Sequence, residues 1–148
     1  MRYFEDFAEG QVYELGEASI SEAEILEFAR KYDPQPFHVD QAAAQHSMFS
    51  GLIASGWLTG STLMRLFCDG FLKDTASLGS PGIDELRWLK PVRPGDTLTA
   101  RLTVTETTAS RSKTDRGIVR SVMELFNQHG EVVMTTTGVN FFRRRPGG

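Results

Sequence analysis

The pattern of apolar and polar positions changes halfway along the chain. In the N-terminal half, apolar residues recur every three or four positions, as in residues 25–32 and in the long apolar segment 56–72, which indicates helices. In the C-terminal half, apolar and polar residues alternate, most regularly over residues 97–105, which indicates half-buried strands. Because the helices precede the strands and do not alternate with them, the pattern predicts an α+β fold.

Local signals define the ends of the first helices. Ser21 begins a capping box, and Pro34 disfavours helical backbone at Asp33, so a first helix is predicted between Ser21 and Asp33. Asp40 can cap a further short helix over residues 42–44.

A longer helix and a set of strands follow. The helix is predicted to begin at Ala54 or Gly56 and to end near Gly70, and the spacing of Gly56 and Gly60 predicts close approach of a neighbouring backbone. Several polar and ionisable side chains in segment 52–72 favour a helix buried in a soluble fold over a membrane span. Strands are predicted at residues 11–16, 83–89, 97–105, 118–126 and 132–142. The last three, joined by short polar turns, predict an antiparallel meander covered by the long helix.

Composition narrows the class of protein. With 148 residues, 24% of them charged, and a net charge of −3, we expect a single domain over residues 1–148 and no nucleic-acid-binding surface. Cys68 is the only cysteine, which excludes an intramolecular disulfide and fits a cytoplasmic location. The basic run at residues 143–145 is predicted to be a frayed, solvated tail.

Two segments carry the candidate chemistry. Asp33 and His38 offer a carboxylate and an imidazole on a loop that Pro34 and Pro36 restrict, which suits acid–base catalysis. Fully extended, the intervening chain would separate them by roughly 17 Å. They can therefore share one water only if the loop bends or a helical turn follows His38. A simple helix stop at Asp33 and a structural role for His38 remain alternatives.

The second segment, residues 51–56, is rich in small residues and precedes the long helix. Its backbone N–H groups and the positive end of the helix dipole favour an anion, although a tightly packed helix start would need the same residues. Together, the two segments would supply an acid–base pair and an anion site. Adding water to an activated double bond, or removing it, requires both.

These residues resemble the motifs of the MaoC-like dehydratase family, which includes R-specific enoyl-CoA hydratases. The family's Asp-x-Asn-Pro-x-His motif stands here as DPQPFHVD at 33–40, followed by GLIASG at 51–56, and segment 85–96 is also similar to the family. Gln35 departs from the pattern, because it replaces the usual Asn. Its longer side chain requires any hydrogen bond that holds this loop to be remade.

The resemblance implies a hotdog fold, in which an antiparallel curved sheet wraps around a long central helix. It also implies a homodimer that acts on acyl-CoA thioesters near the subunit interface, with no metal or redox cofactor. By position, Asp33 and His38 match the catalytic pair, and Gly56 matches the residue whose N–H binds the thioester oxygen. Ser55 matches a polar residue that helps to hold the catalytic groups, and Ala54 is expected beside the substrate.

Two other functions are compatible with the same resemblance. One is an acyl-CoA thioesterase of the same fold, and the other is a non-catalytic dimer that binds acyl thioesters. The length and branching of the acyl group are not readable from the sequence, because Leu52, Trp57, Met64 and Phe67 could line a pocket or belong to the core. Whether CoA or an acyl-carrier protein carries the acyl group is also left open.

Overall fold

The computed structural model describes residues 1–147, in which one five-stranded antiparallel sheet packs against a long helix. The helices are α1 (Glu22–Tyr32), α2 (Pro36–Val39), α3 (Gln41–Gln45) and α4 (Gly56–Gly70). The strands are β1 (Val12–Ser19), β2 (Gly82–Trp88), β3 (Thr97–Ala109), β4 (Arg116–Phe126) and β5 (Val132–Arg143). Their order in the sheet is β1-β3-β4-β5-β2, so the predicted meander is confirmed and forms the centre, with β1 and β2 at the edges.

Helix α4 lies across one face of the sheet and forms the core with it. Its buried apolar side chains are Leu58, Leu63, Leu66 and Phe67, and the sheet residues buried in the same core include Leu98, Leu102, Leu125 and Met134. Within residues 1–147, no helix has both the length and the apolar character that crossing a membrane requires.

The close backbone approach on α4 occurs at its C-terminal end and not at the predicted pair of glycines. A Cβ atom on Gly70 would lie 2.5 Å from the carbonyl oxygen of Leu15, so only glycine lets α4 cross β1 here. A Cβ on Gly60 would make an ordinary 3.6 Å contact with Met134. Gly56 faces the side chain of Trp88 and not a neighbouring backbone. The spacing of the two glycines is therefore not a backbone-crossing signal in this helix.

The predicted ends of the first helices are confirmed. The Ser21 hydroxyl accepts a hydrogen bond from Glu24 N–H at 3.1 Å, and α1 ends at Tyr32, directly before Asp33. Asp40 caps α3 by accepting from Ala43 N–H at 3.1 Å. Helix α2 was not predicted as such, although its first residue, Pro36, is well suited to the first turn of a helix.

The expectation of a frayed basic tail is wrong. Arg143 ends β5, and Arg144 pairs with Glu5 at 3.2 Å. Arg145 pairs with Asp6 at 2.7 Å. Sequence alone could not foresee this, because these acidic partners lie at the opposite end of the chain.

Candidate active site

The two candidate segments are held together by their backbones. Ile53 N–H donates a hydrogen bond to Phe37 C=O at 3.2 Å, and Ile53 C=O lies 2.8 Å from Nδ1 of His38. Because a carbonyl can only accept, Nδ1 carries a proton in this arrangement, and this hydrogen bond fixes the orientation of the ring. The single turn of α2 therefore buries His38, which is 5% exposed, and directs Nε2 toward Asp33.

Asp33 lies at the centre of a small hydrogen-bonded cluster. Its Oδ2 accepts from the Ser55 hydroxyl at 2.7 Å and lies 3.3 Å from His38 Nε2. Its Oδ1 accepts from the Gln35 amide at 2.7 Å. Burial raises the pKa of Asp33, but the hydrogen bonds from Gln35 and Ser55 and the charge of His38 outweigh burial and lower the pKa below its ordinary value. The group is therefore a carboxylate at neutral pH.

The amide of Gln35 keeps a function in the loop. Gln35 immediately precedes α2 with extended backbone, and its longer side chain reaches back to Asp33. The loop therefore keeps a hydrogen bond to Asp33 although asparagine is replaced, and the Gln35 amide is its donor. Glutamine at this position therefore does not move Asp33 out of reach of His38, because Asp33 Oδ2 and His38 Nε2 remain 3.3 Å apart.

Ser55 joins the carboxylate to the start of α4. It is fully buried, and its hydroxyl donates to Asp33 while accepting from Trp57 N–H at 3.3 Å as the N-cap of the helix. Within residues 1–147, no protein group accepts a hydrogen bond from Gly56 N–H. This donor lies at the positive end of the α4 dipole, next to the cluster.

The N–H groups of segment 51–56 are less available than expected. Gly51 N–H donates to Ala44 C=O at 3.0 Å, and Ala54 N–H donates to Val92 C=O at 2.8 Å, while that of Ile53 is used as described above. The N–H of Ala54 is therefore not available to a ligand, and Ala54 can contribute to the site only as part of its wall.

The structure adds Trp88, which sequence reasoning missed. The Trp88 indole N–H donates to Gly56 C=O at 2.9 Å, and its ring lies where a side chain on residue 56 would be, with Cε2 2.4 Å from an added Cβ. Trp57 packs edge-on against it, with ring centroids 5.1 Å apart. No motif or spacing could link Trp88 on β2 to a glycine so far away in the sequence.

Two cavities adjoin these residues. The first, which we call the His38 cavity, has a volume of about 350 Å³ and is lined by His38, Ala54, Gly56 and Trp88 among others. The second, the α4–β5 cavity, has a volume of about 320 Å³. Of the four residues considered for a pocket, Leu52 belongs to the core, Trp57 and Met64 line the α4–β5 cavity, and Phe67 belongs to the core and also lines this cavity.

Comparison with known proteins agrees with this architecture. The MaoC like domain matches residues 6–124, so the chain belongs to the MaoC-like dehydratase family. It is 37% identical over 112 residues to an (R)-specific enoyl-CoA hydratase from Rhodospirillum rubrum, covering 71% of each chain.

Solved structures extend the likeness to the whole fold. A MaoC-like dehydratase from Rhodospirillum rubrum superposes with a TM-score of 0.91 at 42% identity, covering 99% of both chains. The R-hydratase PhaJ1 from Pseudomonas aeruginosa gives a TM-score of 0.75 at 27% identity over 97% of this chain and 86% of that one. The resemblance read from the motifs and the expected hotdog fold are both confirmed.

Proposed function

We propose that this chain is a hydro-lyase that adds water to a 2-enoyl-CoA thioester, or removes it from the corresponding 3-hydroxyacyl-CoA. One observation carries the proposal. An ionised Asp33 and the Nε2 atom of His38 lie 3.3 Å apart, and the His38 cavity also reaches Gly56, whose N–H has no acceptor among residues 1–147. This is an acid–base pair next to an oxyanion donor, the combination that hydration requires.

The proposed reaction begins with a water bound between Asp33 and His38. The pair removes a proton from the water as its oxygen bonds to C3 of the enoyl group, and electrons of the double bond move onto the thioester oxygen. The pair then returns a proton to C2. Such proton transfer typically contributes 10²–10⁴-fold to the rate. Because Nδ1 of His38 is held by Ile53 C=O, the ring keeps Nε2 directed at the water through both steps.

Gly56 N–H would bind the thioester oxygen, where negative charge develops as an enolate. The dipole of α4 adds to this stabilisation, since the donor is at the N-terminal end of a 15-residue helix. Losing one such donor typically costs about 3 kcal/mol of transition-state stabilisation.

The relatives support the reaction class and its stereochemistry. Those reported above include an (R)-specific enoyl-CoA hydratase and an R-hydratase, so we propose R-specific addition. Adding H and OH across C2 and C3 is redox-neutral overall, so the reaction needs no redox cofactor. We also propose that it needs no metal ion, because Gly56 N–H would stabilise the charge on the thioester oxygen.

We also propose that the chain acts as a homodimer, with its sites near the interface. Strand β2 is an edge strand that pairs only with β5 among the described strands, and Ile83, Trp88 and the adjacent Leu89 are about half exposed. Exposed apolar edges invite pairing with another chain. Trp57 and Met64 on α4 extend the exposed apolar surface. Sedimentation equilibrium tests this, and a monomer at micromolar concentration would contradict it.

The decisive experiment follows the loss of enone absorbance when the protein is mixed with short 2-enoyl-CoA substrates. We expect loss with the parent and at least 100-fold slower loss with Asp33→Asn or His38→Ala. His129→Ala is the matched control, because His129 is an exposed histidine in a hairpin turn. Chiral chromatography of the product tests R-specificity.

A parallel assay for free thiol distinguishes the alternatives. Thiol release without hydration would indicate a thioesterase. Binding of acyl-CoA that survives both substitutions, with neither reaction in the parent, would indicate a binding protein and overturn the proposal.

A further inference from the structure

Of the largely buried polar side chains that line the α4–β5 cavity, that of Asn140 has no hydrogen-bond partner within residues 1–147, and its amide atoms open onto the cavity. Asn140 on β5 is 8% exposed and lines this cavity. No protein group within residues 1–147 forms a hydrogen bond with its side-chain amide. The neighbouring polar side chains differ in this respect, because the hydroxyl of Thr136 donates to Glu85 C=O at 3.0 Å and that of Ser61 donates to Trp57 C=O at 2.7 Å.

The surroundings of Asn140 are largely apolar, although its amide remains open to the cavity. The cavity wall is otherwise largely apolar and includes Met64, Phe67, Met123 and Met134, and none of its lining residues is ionisable. A bound chain that fills the cavity without offering a hydrogen bond would leave this amide buried and unpaired, which costs free energy. A single polar group in an otherwise apolar pocket therefore favours a ligand that supplies the missing bond.

The cavity leaves room for such a ligand beside the amide. Gly138 precedes Asn140 on the same face of β5, and a Cβ atom added there would meet no atom within 4 Å. Its backbone lies outside the left-handed region, so glycine is not required there by conformation. The open space next to Asn140 is therefore a property of the cavity.

Asn140 lies far from the reacting end of the proposed substrate. Two residues beyond it, Phe142 packs against Phe71, just past the C-terminal end of α4, with ring centroids 6.1 Å apart. Gly56 begins the same helix, and with a rise of about 1.5 Å per residue the helix places its two ends roughly 20 Å apart. A group that reaches Asn140 must belong to the distal part of the acyl chain.

On this basis, and resting on the hydro-lyase function proposed above, we propose that the preferred acyl group carries an uncharged oxygen function on its distal part. A hydroxyl or carbonyl oxygen there would hydrogen bond to the Asn140 amide, which can both donate and accept. A plain alkyl chain would leave the amide unpaired. A distal carboxylate would be buried without a cation, since the cavity lining provides none.

The test compares 2-enoyl-CoA substrates of matched length over a series of chain lengths. Each length is prepared with a plain, a terminal hydroxyl, a terminal keto and a terminal carboxylate end. For the chains that reach Asn140, we expect the parent to show kcat/KM roughly 5- to 30-fold higher for a hydroxyl or keto end than for the plain end. The carboxylate should be the poorest substrate.

Variants assign this preference to the amide. Asn140→Leu has similar volume without the amide, and we expect it to favour the plain chain. Met123→Leu changes the same wall without changing its polarity and should retain the parental preference. Gly138→Val fills the space beside Asn140 and should weaken the preference, which provides a second variant if Asn140→Leu does not fold by circular dichroism.

The outcomes separate the two proposals. If the parent hydrates no thioester, including crotonyl-CoA, the proposed function fails and this inference fails with it. If the parent hydrates crotonyl-CoA but prefers plain chains at every length, or if Asn140→Leu keeps the preference for an oxygenated chain, only the inference is overturned.

Discussion

Replacing Gly56 with alanine tests how closely Trp88 packs against the start of α4, where the Gly56 N–H has no acceptor among residues 1–147. The new methyl carbon would lie 2.4 Å from Cε2 and 2.7 Å from Cδ2 of Trp88, well inside van der Waals contact. The helix start is fixed by Ser55, so the indole ring must move. Its hydrogen bond to Gly56 C=O, 2.9 Å long in the parent, should then break.

The expected magnitude follows from three contributions. Forcing a methyl group into a packed contact costs about 1–3 kcal/mol, and losing a neutral hydrogen bond costs about 0.5–1.5 kcal/mol. Alanine recovers up to about 1 kcal/mol relative to glycine in a helix. We therefore expect Gly56→Ala to lower the free energy of unfolding by about 2 kcal/mol. Alanine keeps the backbone N–H of residue 56. We therefore expect hydratase activity to fall only to the extent that the clash displaces this N–H from the thioester oxygen.

Urea unfolding of a double-mutant cycle measures this contact. If the clash with Trp88 is the cause, Gly56→Ala combined with Trp88→Ala should be about 1–2 kcal/mol more stable than the sum of the single changes implies. Gly60→Ala is the matched control on the same helix, since its Cβ would lie at an ordinary 3.6 Å from Met134, and it should be neutral or stabilising. Additive energies in the cycle would refute the reasoning.

The remaining predictions concern the carboxylate, the helix crossing and the cofactor. Ser55→Ala removes a hydrogen bond from Asp33 and should raise its pKa, as measured by carboxyl-carbon NMR titration; an unchanged pKa would contradict the cluster. Because the folded-state pKa of Asp33 is lowered, its ionisation stabilises the fold above the unfolded pKa of about 3.9. That contribution is lost as the pH falls through the folded pKa, and in Ser55→Ala it should be smaller. Gly70→Ala places a methyl 2.5 Å from the backbone oxygen of Leu15, which cannot rotate away, so thermal unfolding should show a loss of about 3 kcal/mol or more; a loss below that of Gly56→Ala would argue against a rigid crossing. Dialysis against a chelator should leave hydration unchanged, and loss that is restored by a metal ion would contradict the proposed cofactor-free reaction.

Local chemistry explains what the sequence could predict. Ser21 and Asp40 cap helices through their own neighbours, and Pro34 acts on the residue beside it, so both ends of α1 and the start of α3 could be read directly. Strand β3 extends to Ala109, beyond the apolar alternation that ends near residue 105. Its last residues pair with the start of β4, and pairing with a distant strand leaves no periodic signal in the strand itself.

Convergence of Asp33 and His38 could not be read from the sequence for the same reason. It depends on the helical turn that follows Gln35 and on Ile53, whose backbone groups bond to both Phe37 and His38. Backbone groups carry no residue identity, so no motif records this contact. The family resemblance supplied the pairing of the two segments, and the geometry supplies its physical cause.

One hydroxyl group links the two parts of the candidate site. The Ser55 oxygen caps α4 through Trp57 N–H and donates to Asp33, so the position of the carboxylate and the start of the helix that carries Gly56 depend on the same atom. A change that moves α4 would therefore shift the oxyanion donor and the base together. Threonine at position 55 would keep the hydroxyl, but it adds a methyl group at a fully buried position, where overpacking costs about 1–3 kcal/mol. Serine is the smallest side chain that can satisfy both bonds, which explains why a small polar residue is needed immediately before Gly56.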